Sequence, residues 1–74
     1  MNFKDYNTQS WKMHATDPDL VMKSFKDNLN LVETNADAVL FGNLVVHVSG
    51  EHLGKWNEGL EILRKLKTND YITD

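Results

Sequence analysis

The sequence predicts an α+β fold, a small antiparallel sheet with two amphipathic helices on one face in the order β-α-β-β-α. Three observations predict it. Asp17-Pro18 opens a stretch with apolar residues at helical spacing, two apolar runs flank Gly42-Asn43, and Ser49-Gly50-Glu51 opens a second helical stretch. An all-helical N-terminal half is the alternative, because the first strand is short.

Taken in order, residues 1–9 are polar apart from Phe3 and Tyr6 and are expected to fray. Trp11, Met13 and Ala15 then alternate with Lys12 and His14, which reads as a first strand over residues 10–15. Asp17 can cap the first helix and Pro18 fits its first position, where no amide donor is needed. Val21, Met22, Phe25, Leu29 and Val32 form the core stripe, with Lys23, Lys26, Asp27 and Asn30 opposite.

Residues 34–37, Thr-Asn-Ala-Asp, read as a turn. Residues 39–41 and 44–48 then flank Gly42-Asn43 as the two arms of a tight hairpin. Its register puts Val39, Phe41, Leu44, Val46 and Val48 against the helices and leaves Ala38, Leu40, Val45 and His47 outside. Ser49 caps a second helix over residues 51–67, in which Leu53, Trp56, Leu60 and Leu63 form a stripe that Ile62 and Leu66 widen. Gly59 within that arc reads as a packing notch. The last residues, 69–74, are polar around Tyr71 and Ile72 and are expected to fray.

A chain of 74 residues holds one domain, and one this short buries only about 60% of its unfolded surface. No cysteine is present to staple it, so self-association is the remaining way to gain buried area. Together with the lack of a recognisable export signal, this leads to a cytoplasmic expectation. No apolar run approaches the roughly 20 residues of a membrane span. Eight basic against eleven acidic residues give a net charge of −3, which disfavours direct nucleic-acid binding.

Motifs for catalysis are sparse. With no Cys and no nucleophile elbow around Ser10, Ser24 or Ser49, covalent catalysis has no candidate. His14, His47 and His52 lack the i, i+4 spacing of a helical zinc pair, so neither a metal nor a cofactor is expected. His47, Glu51 and His52 could converge at a strand-to-helix corner, which keeps a small metal-assisted enzyme open as an alternative.

The leading expectation is therefore a small acidic, non-enzymatic protein-binding module. Seven lysines to one arginine and eight asparagines suit AT-rich codons, so its concrete form is a phage or mobile-element protein that inhibits a host protein. A homodimer is expected as well, through Leu40 and Val45 of the outer hairpin face or Ile62 and Leu66 of the helix edge. Trp11 and His47 complete the expected interaction residues. The second alternative is a small-ligand or nucleotide-binding homo-oligomer.

Overall fold

A computed structural model describes residues 1–67, whose regular structure is all helical; the expected fraying of 69–74 lies outside the described residues. The helices are α1 (Phe3–Met13), α2 (Pro18–Asp27), α3 (Asn35–Val45) and α4 (Trp56–Lys67). A 3₁₀ turn, Leu29–Leu31, follows α2, and a π-helical segment, Val46–His52, continues α3. No strand occurs among the described residues, so the expected α+β fold is replaced by a small helical globule.

At the N-terminus a helix replaces both the frayed end and the first strand. The Asn2 side chain accepts the Asp5 amide at 2.9 Å, and Asp5 lies favourably in the first turn. Phe3, Tyr6 and Ser10 recur at helical spacing and are buried. The alternation over residues 11–15 covers only the end of this helix, which terminates at Met13.

The start of α2 follows the sequence reading. Asp17 accepts the Leu20 amide at 3.2 Å, Pro18 holds the first position, and Val21 and Phe25 are buried. Asn28 ends it by donating from Nδ2 to the Ser24 carbonyl at 2.7 Å.

The hairpin does not exist. Thr34 caps α3 instead, its hydroxyl oxygen accepting the Asp37 amide at 3.1 Å, and Gly42-Asn43 lies inside the helix. Phe41, Leu44, Val45 and Val48 recur at three, one and three residues and are all fully buried, a helical stripe along one side. A run apolar on both strand faces is equally a buried helix, and here the helix prevails. The ring of Phe41 is the centre of the core. It meets Phe25 edge-on at 5.5 Å between centroids, Phe3 edge-on at 6.3 Å and Tyr6 at 6.4 Å.

Gly42 therefore needs no positive φ. A Cβ there would meet only the Leu63 side chain, at an ordinary 3.7 Å. Gly42→Ala should raise stability by about 0.5–1 kcal/mol through helix propensity, read as a higher urea midpoint. A lowered midpoint would contradict the helix.

The second long helix begins later than its sequence suggests. Ser49 is not a cap but a buried residue of the π segment, 1% exposed, with a hydroxyl that has no partner. In this segment the Leu53 amide reaches back five residues to the Val48 carbonyl at 3.1 Å, and Gly54, at φ 65°, breaks the chain before α4. Starting α4 at Trp56 turns Ile62 and Leu66 inward and Trp56 and Leu60 outward, at 53% and 47% exposed. Gly59 is indeed a notch, since a Cβ there would lie 2.9 Å from that of Ser49.

Tyr6 reaches from α1 to α2 and bonds the Ser24 hydroxyl at 2.5 Å. Ser24 itself donates to the Val21 carbonyl at 2.6 Å, so the phenol is the donor between the two hydroxyls. Burial pushes the Tyr6 phenol above its ordinary value of 10.0, and the Asp27 carboxylate acts in the same direction. The unfolded chain thus releases this proton first, so stability holds below about pH 10 and falls above it. Tyr6→Phe should flatten that fall between about pH 9 and about pH 11, in urea midpoints measured across the range. An unchanged slope would mean that the phenol is not buried.

Candidate metal centre

Three histidines that lie far apart in sequence meet at one corner of the fold. His14 is the residue following α1, where its backbone amide still bonds the Ser10 carbonyl at 2.9 Å. His47 and His52 belong to the π segment. Their five-residue separation would splay them around an α-helix, but in a π turn, whose ladder runs from i to i+5, it stacks them. The ring centroids lie 4.7 Å apart for His47 and His52, 4.9 Å for His14 and His52, and 5.0 Å for His14 and His47. One nitrogen from each ring falls within 4.8 Å of the other two.

Two of the rings are oriented by acceptors. His14 Nδ1 bonds the Trp11 carbonyl, and His47 Nδ1 bonds the Glu51 carboxylate at 2.6 Å. Neither acceptor has a proton to give, so each Nδ1 carries the hydrogen and each Nε2 presents a lone pair. Such acceptors behind a histidine fix the tautomer that a metal requires. His52 Nε2 donates to that lone pair of His47 Nε2 at 3.1 Å, a proton that a bound ion would displace. Donors around a tetrahedral zinc ion with bonds of 2.0–2.1 Å are separated by about 3.3 Å. The pair thus has close to ligand spacing, and a His14 nitrogen lies within 4.8 Å of both.

Trp11 stacks beside the cluster, its ring 5.1 Å from that of His14 and 5.2 Å from that of His47. It is half-buried and closes one side, while His52 is exposed and leaves another open to water. Glu51, four residues after His47, is an orienting group here and is bonded to His47.

The other expected interaction residues are dispersed. Val45, Ile62 and Leu66 lie in the core, so they present no surface to a partner. Leu40 stays 47% exposed on α3. The expectation that the histidines hold no metal rested on strand and α-helix spacing, and that premise fails in the π segment. His14 carried no signal of its own, because a contact between the end of α1 and residues 47–52 depends on how the helices pack. A separate cleft of about 270 Å³ lies between α1 and α2, lined by Met1, Tyr6, Met13, Leu20 and Ser24 among others.

The fold and the histidine corner define a small helical domain with a candidate metal centre. No protein family, curated protein or solved structure matches the chain. No described helix is long and apolar enough to cross a membrane.

Proposed function

We propose that this domain binds one first-row transition-metal ion, of the zinc class, through His14, His47 and His52. The observation that carries this reading is the convergence of the three rings with Nδ1 of both His14 and His47 tied to an acceptor. Imidazole nitrogen suits zinc, copper and nickel, whereas magnesium and calcium prefer oxygen donors. Three histidines also leave a coordination position for water or a small ligand, the arrangement of reactive zinc sites. The metal-assisted alternative is thereby strengthened, with His14 added and Glu51 moved to an orienting role.

Calorimetric titration with zinc should give one ion per chain, and Mg²⁺ should give none. His47→Ala and His52→Ala should each weaken binding strongly, and Glu51→Gln should weaken it by about 10-fold or more. Absence of zinc binding, or binding indifferent to all three histidines, would refute the proposal.

The protein-binding reading is a second proposal, favoured by one observation. Trp56, Leu60 and Val46 are large apolar residues left exposed around one shallow groove. Inhibition of a host protein is the partner-specific form of that reading. Capture of a defined host protein by the unmodified chain and not by Leu60→Glu tests it.

A further inference from the structure

Independently of the metal centre, we infer that the outer face of α4 is a self-complementary docking surface that pairs two copies of this chain antiparallel about Leu60. Trp56, Leu60 and Arg64 follow one another at four-residue intervals, so they form one stripe along the helix. All three are exposed, and Trp56 and Leu60 are apolar residues with about half their surface in water. Tryptophan is enriched among the residues that carry the energy of protein interfaces.

The order of the stripe identifies the occupant. Leu60 lies midway between Trp56 and Arg64, so a two-fold axis through Leu60 sets each Arg64 against the partner copy's Trp56. Guanidinium over indole is a favourable cation–π pair, and it forms twice. The same operation places Leu60 against Leu60 and Asn57 against Leu63, so the stripe brings no like charges together.

Trp56 is also held in position for this role. Its indole lies over Gly50 so closely that a Cβ there would collide with it. A ring supported on one side by backbone is a firmer platform than a free surface side chain. One helix stripe is a small contact area, so the association belongs to the weak, micromolar class.

Sedimentation velocity of the full chain from about 10 μM to about 1 mM tests the pairing. The unmodified protein should shift from monomer to dimer mass over that range. Leu60→Glu should hold it monomeric, and so should Arg64→Glu, which sets a carboxylate against the indole. Trp56→Arg should do the same by opposing two guanidinium groups. The double variant Trp56→Arg/Arg64→Glu should recover the dimer through two ion pairs and lose it again at high salt. Far-UV circular dichroism and urea midpoints, both unchanged, would show that the variants are folded. A monomer at every concentration would overturn the inference and leave the stripe to another protein. A dimer indifferent to Leu60→Glu, or a double variant no better than its parents, would overturn this axis.

Discussion

Phe41→Ala should sharply lower the stability of the protein at 25 °C. Its side chain is fully buried, and its ring touches one aromatic ring from α2 and two from α1. Truncating such a residue costs about 3–5 kcal/mol, from lost transfer energy and from the cavity left behind. At the usual stability per residue, a chain of 74 residues has only about 4–11 kcal/mol in total. The loss consumes much of that margin. Urea titration followed by circular dichroism should show a midpoint far below that of the unmodified protein. By contrast Leu40→Ala, half exposed on the same helix, should change it little. Equal effects at the two positions would contradict the placement of Phe41 at the centre of the core.

Saturating zinc should restore much of what such a mutation removes, provided the metal centre forms only in the folded chain. An ion present at a thousandfold excess over its dissociation constant stabilises the native state by about 4 kcal/mol. For a domain of this size that is a rise in melting temperature of about 15 °C or more. Chelator should reverse it, and so should acid, because imidazole must be unprotonated to bind a metal. His52→Ala should remove the response while hardly changing the apo protein, since His52 is exposed and outside the hydrophobic core. A melting temperature that ignores zinc would show that the histidines meet without coordinating.

How far the fold could be read from sequence differs from helix to helix. The start of α2 is legible, because Asp17, Pro18 and the Val21–Phe25 stripe act within a few residues of one another, whereas the stripe expected to continue through Leu29 and Val32 leaves the helix, which ends at Asp27. α3 was hidden by its own richness. When Leu40, Phe41, Leu44, Val45, Val46 and Val48 are all apolar, periods of 2 and 3.6 fit about equally, and Gly42-Asn43 tipped the reading to a hairpin. The cap that decides the matter, Thr34 on the Asp37 amide, is present in the sequence, but Thr-Asn-Ala-Asp serves a turn with the same chemistry. At α4 a difference of five residues in the starting point exchanged the roles of Trp56 and Ile62.

The candidate site was legible only in part. His47, Glu51 and His52 were singled out together, because they are near neighbours in the chain. Their mutual geometry depends on a backbone ladder that no residue preference announces, and His14 joins them only through the packing of α1 against α3. The homodimer expectation rests on Leu40, Val45, Ile62 and Leu66; of these only Leu40 stays exposed, and Val39, Val46, Trp56 and Leu60 are among the other large apolar residues at the surface.

The π segment has a consequence for how this chain could change in length. A π turn is an α turn that has absorbed one additional residue, and here the extra residue lies between His47 and His52. Deleting one residue from within 48–50 would return the ladder to α geometry and shorten the histidine spacing to four, one α turn, while removing a buried residue and bringing Glu51 to three residues from His47. The two imidazoles would still face each other. A deletion in 53–55, outside the pair, would instead shorten the connection that carries the chain into α4. Histidines four apart on an α turn and five apart on a π turn can thus face one another alike, so a search for histidines at one fixed interval would pass over chains that build the same corner.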